Sequence, residues 1–372
     1  MLDSSRGEPP TMVLDLLRRH PVAATVLLAG AAVGAARLVD SRIDPVEWQP
    51  PDPPELSGPL APNGELAGAA TVVTCEGPED VAFDDDGRLY TGTEGNHVVR
   101  TVEPVAADTT SADLERVATL DGRPLGMTFD GEDLLVCATG AGLQSVSPDG
   151  AVTTLSERAD GRPIAFADDL HVADDGTVYF TYATAHEIFQ DELFELRDTG
   201  RLLAYDPDAG ETDVVLGNLG FANGVCPHAD GESLLVTETS RYRVTRCWID
   251  GDREGDLQRF ATNLPGYPDN VEAAGDGTHW LAVPTPRDEI LDGLHGRPWL
   301  KRQLGKLPKA AIQQIEGDPY GLVLRLDADG EVVESLHDPD AVVYGVTSAT
   351  PHDGALYLGS LFGERVTRYD LA

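Results

Sequence analysis

Pairs of oxygen-bearing side chains stand just ahead of apolar runs at several points in the chain. Glu79-Asp80 precedes VAF, Asp168-Asp169 precedes LHVA, Asp269-Asn270 precedes VEAA, and Asn223 leads into GVC. Carboxylates and amides with no His or Cys among them suit a hard divalent cation, Ca²⁺ ahead of Zn²⁺ or Cu²⁺. The bend LPGYPDN at 264–270 shows how such groups are presented. Its Gly and two Pro leave few backbone freedoms and deliver an acid and an amide to the head of a strand.

The elements that must position these groups repeat along the chain. A short apolar strand, an Asp/Gly turn and a second strand rich in Leu, Val and aromatic residues occur from Val81, Met127, Leu170, Val225, Val271 and Val346. Further strand-like runs follow most copies, at a spacing of roughly 40 to 80 residues. Strands joined by tight polar turns at that period predict an all-β chain, a six-bladed β-propeller over 66–372, preceded by an N-terminal hydrophobic helix. The last copy is one strand short, so the run AATVVTCEG from Ala69 is expected to complete it and close the ring.

Aligned on their first strands, the copies give two columns. The first holds Glu79, Leu125, Asp168, Asn223, Asp269 and Tyr344, and the second Asp80, Gly126, Asp169, Gly224, Asn270 and Gly345. The first strand of a propeller blade lines the central channel, so each column becomes a ring around the axis. Three carboxylates facing one another in a narrow channel repel or take up protons unless a cation sits among them. The ring therefore predicts bound Ca²⁺ on Glu79, Asp168, Asn223 and Asp269, with Asn270 beside them.

Ahead of the repeats, residues 1–20 form a tail ending in Arg18, Arg19 and His20, and residues 21–39 are almost free of charge. That apolar stretch reads as a membrane anchor, a cleaved signal or a buried Ala-rich helix. Either of the first two places the propeller outside the cytoplasm, anchored or secreted. Residues 40–65 contain WQPPDPPELSGPLAPNGEL, expected to be a stiff extended linker with no pattern that packs.

With 64 acids against 27 bases the formal charge is -37, which repels nucleic acid phosphates and excludes a nucleic acid partner. The acids are spread in short groups along the chain, as suits a halophilic protein whose self-repulsion is screened by salt. Cys75, Cys137, Cys226 and Cys247 lie in apolar contexts without metal spacing and read as buried thiols.

The segments GPEDVAFDDDGRLYTG, GRPLGMTFDG, FADDLHVADDGTVYFT, FANGV and LPGYPDNV resemble the strictosidine synthase-like proteins, in particular the adipocyte plasma membrane-associated protein group. The senescence marker protein/gluconolactonase family and the paraoxonases are more distantly similar. The resemblance implies a six-bladed propeller with calcium in its channel and, in the hydrolytic relatives, action on lactones and esters. It places metal ligands on Glu79, Asp168, Asn223 and Asp269, and gives the fifth-blade acid, Asp269, the role of catalytic base. The metal set argues against the amine–aldehyde condensation of the plant synthases. No GxSxG elbow offers a serine mechanism in its place.

Long connections at 183–200 and 284–320 are expected to cover the metal. The second combines Ile290, Leu291, Leu294, Trp299, Leu300 and Leu304 with Lys301, Arg302, Lys306 and Lys309, the mark of a substrate lid or of a membrane- or partner-facing helix. His186, Phe189 and Trp299 are the expected substrate contacts. Three functions remain open on the sequence: a Ca²⁺-dependent hydrolase of small lactones or aryl esters, of the gluconolactonase, paraoxonase or arylesterase kind that the resemblance implies; a non-catalytic, membrane-anchored propeller that binds a ligand or partner; or a strictosidine synthase-like lyase.

Overall fold

The structure is a computed structural model that describes residues 39–314 and 317–371. Six four-stranded antiparallel sheets make a six-bladed β-propeller. The innermost strands of blades 1 to 6 are Val81–Phe83, Arg123–Asp130, Ala167–Val172, Ala222–Pro227, Val271–Ala273 and Val346–His352. Each begins within a few residues of an aligned polar column, because the Asp/Gly turn that follows it fixes where the strand can end.

Blade 6 is completed by Ala70–Thr74, which pairs with Arg365–Asp370, so both ends of the ring meet in one sheet as the sequence leads one to expect. Buried Val, Leu and aromatic side chains fill the spaces between blades, where Trp280, Val323, Leu336, Val346 and Leu356 pack together, for example, between blades 5 and 6. All four cysteines are free thiols, three of them buried.

The connections between second and third strands open at the end of the ring where the innermost strands begin, since Ala167 pairs with Tyr182 and Val346 with Ser360. In blade 3 this connection carries helix α1 (Phe189–Glu195). In blade 5 it carries α2 (Glu289–His295), α3 (Pro298–Leu304) and α4 (Lys309–Ile312). Leu291, Leu294, Leu304 and Ile312 join the core cluster that includes Ile188 and Phe194, so the helices form one roof.

The Pro-rich stretch departs from the sequence expectation, because its backbone packs. Val46 N donates to Glu195 O, Trp48 N to His295 O and Arg42 N to Gly305 O. Arg42 grips the Asp191 carboxylate through Nε and Nη2 at 3.1 and 3.0 Å, and Ile43 is buried in the same core cluster. Further on, Asn63 donates to Ser335 O and accepts from His337 N on the outer strand of blade 5. Proline rigidity makes the strap cheap to order, and the bonds from Arg42 N, Val46 N and Trp48 N run from main chain to main chain, which no side-chain pattern records.

The basic cluster expected on the roof is largely neutralised. Lys301 is fully buried and donates Nζ to Val46 O at 3.0 Å, while Arg302 pairs with Asp44 and Lys309 with Glu187. No helix of the described residues is long and apolar enough to cross a membrane. The apolar segment 21–39 lies, except for its last residue, outside the described residues.

Candidate functional site

Both aligned columns converge at the top of the channel. Glu79, Asp168, Asn223, Asp269 and Asn270 are between 1% and 8% exposed, a burial that charged groups tolerate only with partners. Leu125 and half-buried Tyr344 occupy the positions of blades 2 and 6. Asn270 Nδ2 donates to Glu79 Oε1 at 3.1 Å, and the Asn223 side chain donates to the Asp269 carboxylate. Each amide thus spends its donor on a neighbouring acid.

The oxygens left over have no partner. Glu79 Oε2, Asn223 Oδ1 and Asn270 Oδ1 are buried acceptors without a hydrogen bond among the described residues. Burial pushes the Glu79 carboxyl well above the usual range, and Asp80, Asp269, Asp168 and Asp169 push it further. Asp168 is raised by burial and then by Asp269 and Asp169, and burial lifts Asp269 to about 8 against the bond from Asn223.

The second column alternates acid or amide with glycine for a steric reason. A Cβ on Gly126 would lie 2.5 Å from Asp169 Oδ1, and one on Gly224 would lie 2.6 Å from Asn270 Cα. Blades 2 and 4 thus have no room for a side chain at this level, and in blade 6 Gly345 holds φ at +60°, where an L side chain is strained. Asp80 Oδ2 accepts from Met127 N of blade 2 at 2.9 Å, and Asp169 Oδ2 from Val225 N of blade 4 at 2.8 Å. Asn270 N donates to Thr347 O of blade 6, whose Oγ1 donates to Glu79 O of blade 1. These bonds fasten neighbouring blades, so the second ring holds the first in place. Burial raises Asp80 to about 6. Glu272, on the innermost strand of blade 5, is also pushed up by burial, then by Asp169 and Asp80. It was missed because VEAA looks like any strand.

Among the described residues no group of three or more Asp, Glu, His or Cys side chains is disposed to hold a metal ion by itself. The amide oxygens decide whether the ring suits one. Three orphaned oxygens, two of them amide, between carboxylates held above their usual range form an acceptor-only set that lacks a positive partner. Such a set fits a hard, oxygen-seeking cation of the Ca²⁺ type.

The expected substrate contacts divide. Phe189 stands at the start of α1 with its ring 6.4 Å from that of Phe362. His186 lies in the same connection but turns to Glu195 Oε2 at 2.7 Å. That bond and the carboxylates of Glu195, Glu192 and Asp191 raise its pKa, although burial opposes them. Trp299 is 66% exposed on the outside of the roof and is not gathered with the other two. Phe362 was not among the expected residues, because nothing in LFGER marks it.

The fold and the ring define a six-bladed propeller whose channel mouth is lined by acidic and amide oxygens. The strictosidine synthase family model matches residues 168–252, and the strictosidine synthase-like N-terminal model matches 58–101. Adipocyte plasma membrane-associated protein of Homo sapiens is 34% identical over 370 residues, covering 93% of this chain and 88% of that protein. Strictosidine synthase-like 3 of Arabidopsis thaliana is 31% identical over 325 residues, covering 80% and 83%. The chain belongs to the strictosidine synthase-like family that includes the adipocyte plasma membrane-associated proteins.

Among solved structures, a gluconolactonase from Xanthomonas campestris superposes with a TM-score of 0.60 at 17% identity, covering 90% of this chain and 97% of that one. A calcium-binding regucalcin from Agrobacterium tumefaciens gives 0.52 at 13% identity, covering 82% and 96%. At these identities the likeness is one of fold.

Proposed function

We propose that the protein is a Ca²⁺-dependent hydrolase of lactones or esters. The observation that carries this reading is the set of three buried, partnerless oxygens, Glu79 Oε2, Asn223 Oδ1 and Asn270 Oδ1, facing carboxylates that burial holds above their usual range. Two structurally similar propellers, named as a gluconolactonase and as a calcium-binding protein, support it.

Glu79, Asp168, Asn223, Asp269 and Asn270 would hold the ion. When bound it supplies positive charge that polarises a carbonyl and lowers the pKa of water. The chain's own groups do the rest. Asn223 orients the Asp269 carboxylate through its amide. Asp269 takes a proton from water as the oxygen adds to the carbonyl carbon, and returns it to the alkoxide as the ester C–O bond breaks. The products are the acid and the alcohol, or the open hydroxy acid from a lactone. Asp269, raised chiefly by burial, would be ionised and able to accept that proton once a cation offsets that burial.

The relatives' name, plasma membrane-associated, supports placing this propeller at a membrane, held through segment 21–39. A second reading, in which the ion only fastens the blades and the roof binds a partner, draws on the bonds that Asp80 and Asp169 already make between blades. Assaying a panel of lactones and phenyl esters with and without chelator, and with Asp269→Ala, separates the two. Hydrolysis lost to chelator and to the substitution supports the enzyme. A protein that chelator melts but that turns over no panel member supports the second reading.

A further inference from the structure

Between blades 2 and 3 the chain makes a short hairpin, Arg158–Ala159 paired with Arg162–Pro163, around a tight turn in which Asp160 and Gly161 hold φ at +53° and +72°. Ala159 and Ile164 anchor it, buried in the core cluster that contains Phe180 and Tyr182 of blade 3. Residues directly opposite in an antiparallel pair share a face of the sheet. Arg162 lies opposite Ala159, so it stands on the face that Ala159 turns toward this cluster.

The same rule brings a second arginine to the spot. Arg201, on the third strand of blade 3, lies opposite Tyr182 on the second, and its guanidinium carbon is 5.4 Å from the centre of the Tyr182 ring. Burial raises the pKa of the Tyr182 phenol, and Arg201 and then Arg162 oppose the rise. Two cations from separate segments therefore bear on one phenol.

Neither cation is neutralised by the protein. In a chain with 64 acids, carboxylates take up arginines on other blades, as Glu115 does Arg100, Glu238 does Arg243 and Asp276 does Arg325. Among the described residues no carboxylate pairs with Arg162 or Arg201, and no hydrogen bond engages either guanidinium or the Tyr182 hydroxyl. Glu157 and Asp160 flank the hairpin without bonding to either arginine. Glu192 of α1 also bears on the phenol, but its Oε2 accepts from Thr184 and Thr199.

We propose that Arg162, Arg201 and the Tyr182 hydroxyl form a binding site for a phosphate group on the seam between blades 2 and 3. Two guanidinium forks and a phenol O–H match the double charge and several acceptor oxygens of a phosphate monoester, whereas a carboxylate brings a single charge and leaves one guanidinium uncompensated. The aromatic face under Arg201 restrains its fork. A phosphate ion, a small phosphomonoester and a lipid headgroup all present this group. The site stands whether or not the ring hydrolyses anything.

Calorimetric titration of the full chain at low ionic strength with inorganic phosphate, glycerol 3-phosphate and acetate tests the chemistry, and flotation with phosphatidylcholine vesicles, with and without phosphatidic acid, tests the lipid source. A soluble phosphate is expected to bind with a Kd of about 1 mM or tighter, and acetate at least about tenfold more weakly. Arg162→Gln and Arg201→Gln should each weaken phosphate binding at least about tenfold, and Tyr182→Phe about threefold. Arg162 is an exposed hairpin residue, so its variant should melt at the wild-type temperature. Arg259→Gln removes an exposed arginine of blade 4 that is likewise unpaired among the described residues, and should change nothing. Binding to phosphatidic acid vesicles alone, lost in both glutamine variants, assigns the site to a lipid headgroup, and binding of the soluble phosphates alone assigns it to a free ligand. No binding in either format, acetate bound as tightly as phosphate, binding that both glutamine variants retain, or an equal loss in Arg259→Gln overturns the site.

Discussion

The Asn270 side chain reaches from blade 5 to the Glu79 carboxylate of blade 1, past the head of the blade that separates them. The main chain takes the same route, Asn270 N to Thr347 O and Thr347 Oγ1 to Glu79 O. Closure of the ring and orientation of an oxygen acceptor are thereby one structure, and loosening either end disturbs both.

Asn270→Ala is therefore expected to free Glu79 Oε1, remove one orphaned amide oxygen and weaken Ca²⁺ binding by about 10- to 100-fold, the usual effect of losing a group that orients a ligand. Titration of the chelated protein with Ca²⁺ reads the change directly. An unchanged affinity would remove Asn270 from the site.

Glycines of the second column should be irreplaceable by so small a change as a methyl group. Gly224→Ala drives a Cβ against the Asn270 backbone, where no flexible side chain can yield. A loss of about 1–3 kcal/mol, the range for overpacking, is expected in urea melts, together with weaker Ca²⁺ binding. Gly131→Ala is a control: it removes a glycine with open space around it, where only its positive φ resists. It should leave Ca²⁺ binding intact.

His295 gives the roof a dependence on pH. Burial, then Lys301, Arg241 and Arg287, depress its pKa to about 3, and its ring lies 5.3 Å from that of Trp48 in the strap. The unfolded chain takes up a proton near pH 6.5 and the folded chain does not, so stability is lost as pH falls below that value. By about pH 5 this one group accounts for up to about 2 kcal/mol. Urea midpoints of wild type and His295→Asn at neutral and mildly acid pH should show a smaller acid loss in the variant. Parallel losses would mean that His295 does not titrate with unfolding.

Arg42→Ala removes both bonds to Asp191 and the one to Leu307 O. Proteolysis and hydrogen exchange should speed up in residues 41–52 and in α1 while the blades stay protected, because the six sheets complete their strand ladders without residues 41–52. Uniform deprotection would show instead that the strap is part of the folding unit.

How much of this could be read from the chain follows from the range of the interactions. The six units, the closing strand and both polar columns were legible, because Asp/Gly turns fix strand starts locally and Asp168, Asn223 and Asp269 recur in register with them. The alternation of Asp80, Gly126, Asp169 and Gly224 was visible but unexplained, since the crowding that demands it occurs between blades. The strap was not legible, because the bonds from Val46 and Trp48 are made by main chain to residues far along the sequence. Phe362 escaped for a related reason: only ring closure brings it to Phe189. Lys301 looked like a surface charge and proved to be a buried donor to Val46 O.

Calcium titration of the chelated full chain, followed by calorimetry in two buffers of different ionisation enthalpy, bears most directly on the ring. Glu79, Asp168 and Asp269 hold carboxyls raised by burial and mutual repulsion, so binding should expel protons, and Asp269→Asn should reduce both the affinity and the number released. Binding that releases no protons, or that survives Asp269→Asn unchanged, would contradict the account.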